Sequence, residues 1–124
     1  MEKTDHAGVF ARLKKLLLPY GKKMEVRTDT ASNYHLYITK EIELAGRKIP
    51  ECYFCGLKVN STMVSFYFFP YYSHPQVLSI PPAIAKNLKG KTCFNFKQLN
   101  SEQEKAIAVL LKEGEALYKK EHIL

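Results

Sequence analysis

Apolar residues recur along this chain in two different periods. Near the N-terminus Val9, Phe10, Leu13, Leu16 and Leu17 stand three and four residues apart, which is the spacing of one helical face. The pattern predicts a helix over residues 5–18, capped by Thr4 or Asp5 and stopped by Pro19 and Gly21. From residue 24 to residue 69 the period becomes two. Met24, Val26 and Thr28 alternate with Glu25, Arg27 and Asp29, as in a strand buried on one face only. Tyr34, Leu36 and Ile38 alternate with His35, Tyr37 and Thr39. Tyr53, Cys55, Leu57 and Val59 fall on one face of a third run, with Cys52, Phe54 and Lys58 on the other. In the fourth, Val64, Phe66 and Phe68 oppose Met63, Ser65, Tyr67 and Phe69. Ala45-Gly46-Arg47 and Asn60-Ser61 read as turns, so these strands follow one another in an antiparallel meander.

Prolines interrupt the alternation between Pro70 and Pro75. Pro81 and Pro82 then open a short helix over residues 82–89, closed by Gly90. Residues 92–96 form a last strand with Phe94 and Phe96 inward. Residues 101–121 give the clearest helix: Ser101 and Glu104 make a capping box, and Ile107, Leu110, Leu111, Gly114, Leu117 and Tyr118 form its buried stripe. Glycine inside a helix costs about 1 kcal/mol against alanine. Gly114 therefore marks close packing against the first helix or the sheet. The expected fold is α+β, in the order α-β-β-β-β-α-β-α. It is a two-layer sandwich in which a five-stranded antiparallel sheet carries its helices on one face. Arg27, His35, Tyr37, Lys58, Ser65 and Tyr67 line the other face.

Composition bounds this picture. The 124 residues suit one domain, residues 1–124, and 46% hydrophobic with 25% charged residues excludes wholesale disorder. No apolar run reaches the ~20 residues that span a bilayer. Glu2 and Asp5 with no apolar stretch behind them do not make a secretory signal. Three cysteines without such a signal point to free thiols in a reducing cytoplasm. Cys52 and Cys55 have C-x-x-C spacing, but in a regular strand residues three apart face opposite ways, which disfavours chelation and a redox dithiol.

The net charge is +7 and unevenly spread. Residues 1–23 hold six bases against two acids, and residues 86–97 hold four lysines and no acid. Two readings follow: a solvated, solubilising surface, or one basic patch for nucleic acid or another polyanion, built from Lys14, Lys15, Lys86, Lys89 and Lys91. Catalysis finds little footing. There is no Gly-rich phosphate loop and no G-x-S-x-G elbow, and Cys93 beside Phe94 reads as a buried thiol. The glutamates of the last helix are interleaved with lysines, so no catalytic residue, metal ligand or cofactor is assigned. Tyr71, Tyr72 and His74, held between prolines, either contact a ligand or fold over the edge of the core. With Tyr37 and Tyr67 they are the candidate ligand-binding residues.

The last third adds a likeness. Val64-Ser-Phe66, Pro70-Tyr71, the proline-led helix, the run Gly90-Lys91-Thr92-Cys93-Phe94-Asn95-Phe96-Lys97 and the final helix resemble the small bacterial proteins of the YdhG-like family, loosely called frataxin-like. The likeness is sharpest over residues 62–120. It implies a compact sandwich resembling frataxin in a cytoplasmic bacterial protein of this length. Some members of that broad family have been linked to iron delivery. Frataxin-like iron binding uses an acidic ridge on and after the first helix, where this chain has Arg12, Lys14, Lys15, Lys22 and Lys23. No iron ligand is carried over. The leading expectation is a non-enzymatic, cytoplasmic module, monomeric or homodimeric, that binds a ligand or protein partner away from membranes. Polyanion binding, iron carriage and a small enzyme using the aromatic sheet face are the alternatives.

Overall fold

A computed structural model describes residues 6–30, 32–39, 42–44, 46–60, 63–74, 78–90, 92–121 and 123. Helix α1 (His6–Gly21) buries Val9, Phe10, Leu13 and Leu17. Pro19 lies inside it instead of ending it. The missing N–H removes one bond, to the carbonyl of Lys15, and the final turn is closed by Lys23 and Met24 N–H donating to Tyr20 O at 3.0 and 3.1 Å. The expected caps Thr4 and Asp5 lie outside the described residues.

Strands β1 (Glu25–Asp29), β2 (Asn33–Ile38), β5 (Cys52–Val59), β6 (Val64–Phe68), β7 (Leu88–Lys89) and β8 (Cys93–Phe96) form one antiparallel sheet, in the order β1-β2-β5-β6-β8-β7. Strands β3 (Ile42–Leu44) and β4 (Arg47–Ile49) pair only with each other, in a hairpin where a turn tip alone was expected. Its Gly46 has φ 79°, a left-handed turn that a residue with a Cβ adopts at a cost. α2 (Pro70–Ser73) and α3 (Pro82–Ala85) are single turns, and α4 (Ser101–Lys120) is the long closing helix.

The expected five strands become six because the helix after Pro81 ends at Ala85. Asn87 exchanges bonds with Asn95: Asn95 N donates to Asn87 O and the Asn87 amide donates to Asn95 O, both at 2.9 Å. Leu88 and Lys89 are thereby drawn into pairing with Phe94 and Cys93, around Gly90 at φ 75°. β1 also differs from expectation. Val26 is 39% exposed, because β1 is an edge strand at the margin of the helical cover. Its register shifts between Val26 and Thr28, leaving Arg27 as the bulged residue.

A second bulge corrects the faces of β5. Leu36 pairs with Cys55 but Tyr37 pairs with Tyr53, so Phe54 is the extra residue. Phe54 and Cys55 are both fully buried, together with Cys52 and Leu57. Phe54 and Cys52 thus lie in the core instead of beside Lys58, and Tyr53 stands outward. The alternation that was to separate Cys52 from Cys55 does not hold across the bulge; both thiols are free and buried in one core.

Helices α1 and α4 cover the inward face. Phe54 sits among Tyr20, Phe68 and Tyr118, with ring centroids 6.2, 5.8 and 5.7 Å away. Gly114 packs α4 on the sheet: a Cβ there would lie 2.5 Å from Phe68 Cζ and 3.3 Å from Pro70 Cγ. The α4 cap is Asn100, one residue before the expected Ser101. Its side chain accepts from Gln103 N at 2.8 Å, and Gln103 Oε1 accepts from Asn100 N at 3.0 Å. Asn100 is extended (φ −99°, ψ 172°), so Ser101 is already the first helical residue. Arg12 ties α1 to α4 through Glu104 and donates to Leu99 O at 2.6 Å. Among the described residues no helix is long and apolar enough to cross a membrane.

Candidate functional site: the uncovered face of the sheet

Pairing register sorts the outward side chains into three parallel rows. The central row crosses all six strands: Thr28, His35, Gly56, Tyr67, Cys93 and Lys89 stand in successive register. On one side of it lies an aromatic row. Tyr37 meets Tyr53 at 5.1 Å, Tyr53 meets Phe69 at 6.4 Å, and Phe69 meets Tyr72 at 5.4 Å between ring centroids. On the other side lies an amide row in which Asn33 pairs with Lys58, Lys58 with Ser65 and Ser65 with Asn95.

The aromatic row is held at its β1 end by charge. The Arg27 guanidinium lies 4.3 Å from the Tyr37 ring centroid, a cation–π contact, and is fixed by Glu25 at 2.6 Å and by Glu51. Both acids of this end are therefore engaged. At the other end Tyr72 is 59% exposed.

Gly56 makes the middle of the face possible. A Cβ there would collide with the Tyr53 hydroxyl and the His35 ring, which meet above it. The Tyr53 hydroxyl and His35 Nδ1 share a hydrogen bond at 2.9 Å, and His35 Nε2 faces Asn33 Oδ1 at 3.4 Å. Burial, and then the nearby Lys58 charge, lower the His35 pKa, so the imidazole is neutral at pH 7. Burial raises the Tyr53 pKa far above the ordinary phenol value. Neither group offers a charged acid or base at neutral pH. In the amide row the Ser65 hydroxyl donates to Asn95 Oδ1 at 2.6 Å and accepts from the Asn60 amide at 3.2 Å. Among the described residues nothing accepts from Asn95 Nδ2, which leaves it as a donor on this face. The arrangement presents ring surfaces, amide groups and the ammonium groups of Lys58 and Lys89.

The five candidate ligand residues divide. Tyr37, Tyr67 and Tyr72 belong to the uncovered face. Tyr71 is buried on the helical side, 5.4 Å from Phe68 and 5.9 Å from Phe94, and donates to Ser79 O at 2.8 Å. His74 joins Ser73 Oγ (2.9 Å), the Tyr118 ring (5.6 Å) and Glu121 (3.5 Å), bracing α2 against the end of α4. The lysines divide too. Lys14 pairs with Asp29 on β1 at 2.6 Å, and Lys15 borders a groove between α1 and α4 with Leu16, Pro19, Ala108 and Lys112. Lys86 and Lys89 lie at the opposite sheet edge, five inter-strand steps or ~24 Å from β1. Lys91 lies outside the described residues. Sequence reasoning missed Tyr53, Phe69 and Asn95. The β5 bulge hid Tyr53, and Phe69 stands just past the end of its strand.

Among the described residues no three His, Cys, Asp or Glu side chains converge as a metal site would require. Comparison with protein-family models, with curated proteins and with solved structures finds no significant match.

Proposed function

We propose that this chain is a non-enzymatic binding module of the YdhG-like, frataxin-like kind, and that its ligand lies on the uncovered sheet face and presents a flat, unsaturated ring. The observation that carries the reading is the row Tyr37–Tyr53–Phe69–Tyr72 beside Tyr67, on a face whose strands have their helices on the other side. Rings gathered on an outward face stay in contact with water unless something flat covers them, and offset or edge-on ring pairs are worth ~0.5–1.5 kcal/mol beyond area alone. Binding rather than catalysis fits a His35 whose two ring nitrogens already face Tyr53 and Asn33. Three free thiols, two of them buried, support a reducing cytoplasm as the setting. Iron carriage would need converging carboxylates, and the first helix supplies cations instead.

The test uses the chain's own emission, since it has eight tyrosines and no tryptophan. Adenosine, a flat probe without phosphate, is titrated while tyrosine fluorescence is followed. The expected result is saturable quenching that weakens in Tyr37→Ala and Tyr67→Ala. No response at millimolar adenosine or a comparable purine overturns the reading.

A further inference from the structure

We infer that the occupant of the uncovered face is a single strand of nucleic acid, its bases over the aromatic row and Tyr67 and its phosphates at Lys58 and Lys89. The inference rests on the binding-face reading above and names the ligand for it. Open sheets with outward aromatics take two or three unstacked bases, and every base has a ring face, so stacking is tolerant of sequence. Here four rings follow one another in contact across β2, β5, the end of β6 and α2.

Charge is placed to match. Lys89 closes the central row and Lys58 stands in the amide row, on the side of the face away from the Arg27 cluster. Arg27 bridges both acids of that cluster, whose one remaining negative charge stays at the β1 end, and among the described residues no acid pairs with Lys58 or Lys89. The backbone positions of the two lysines are three inter-strand steps and one row apart, ~16 Å, a span that a strand crossing the sheet can bridge. The whole chain, at +7, draws a polyanion from a distance. Asn95 Nδ2, with its own Oδ1 already taken by Ser65, supplies a donor for a base edge. A duplex cannot use the ring surfaces, because its own ring faces are already stacked on one another. A protein partner fits less well, since the face offers rings and amides but almost no aliphatic surface.

The site also differs from a general basic patch in a measurable way. Each phosphate contact of a single strand lowers log K by ~0.7 per unit of log salt. Two contacts predict a loss of about sevenfold in affinity between 50 and 200 mM salt. Binding through the scattered lysines of α1 and α4 and through Lys86 would be far steeper.

The experiment is fluorescence anisotropy of a labelled ten-nucleotide single strand, DNA and RNA, against its duplex, over that salt range. The expected result is single-strand binding with the shallow slope, weakened at least fivefold by Tyr67→Ala. Lys58→Gln with Lys89→Gln should flatten the slope while leaving the thermal transition unchanged. Adenosine quenching without strand binding overturns the nucleic-acid inference and leaves the flat-ligand reading standing. No response to either overturns both. Equal duplex binding, or a slope of four or more contacts, overturns the inference as well.

Discussion

His35, Tyr53 and Gly56 act as one unit, and the missing side chain is the reason. With no Cβ at position 56, the Tyr53 hydroxyl crosses the strand and reaches an imidazole that burial keeps neutral. The folded pKa of His35 is lowered, so the unfolded chain takes up this proton first as pH falls. The contribution of His35 to stability is fully present above its ordinary value of about 6.5 and is lost as pH drops from there through the folded value. Denaturant melts from pH 7.5 to 5 should show stability falling over that window. His35→Gln should have a shallower fall than the wild-type chain. Identical slopes in the two proteins would show that the imidazole is not desolvated. The core thiols obey the same physics with the opposite sign: burial pushes Cys52 up to about 11 and Cys55 well above its ordinary value, so both remain protonated.

Among the elements, those that keep one register throughout were legible. In β2 every second residue is buried as its hydrophobicity implies, β6 departs from this only at the buried Ser65, and Phe94 and Phe96 of β8 point inward. The stripe on α4 was also legible, and Gly114 in it does mark a close approach, to Phe68 and Pro70 of the sheet side. Gly114→Leu should therefore cost about 1–3 kcal/mol in denaturant melts with an unchanged m-value. Unchanged stability would mean that the α4–sheet seam is looser than the 2.5 Å approach requires. What escaped reading has physical reasons. A bulge changes strand parity without changing composition, so Phe54 and Tyr53 exchanged faces unseen. β7 has two residues, too few for any period, and is held by the Asn87–Asn95 bonds instead. β1 alternates like a half-buried strand, but its place at the edge cannot be read from its residues.

At the scale of the molecule, the layering sets where stability resides. β5 and β6 have a strand on each side and helices beneath, whereas β1 and β7 end the sheet and the β3–β4 hairpin stands apart. Amide hydrogen exchange should be slowest in β5, β6 and the middle of α4, and faster by orders of magnitude in β1 and the hairpin. Uniform protection across the six strands would contradict a sheet with two weak margins. The same layering explains how much of the candidate site could be foreseen. That Tyr37, Tyr67, His35 and Lys58 share the outer face follows from alternation alone. Their assembly into three rows depends on which strands are neighbours, and so does the parting of Lys14 from Lys86.

The bulge at Phe54 has a consequence for how this protein could change over time. Each strand carries its core-forming residues on one side and an outward, unpacked row on the other. At Phe54 an additional ring is moved to the folding side. Positions 37, 58, 67 and 89 stand on the other side by their strand register and do not fill the interior. A library randomised at those four codons should yield a high proportion of folded members. Selection on it would sort the survivors by what they bind rather than by whether they hold together, making the outer face a surface on which new specificities can arise without renegotiating the core.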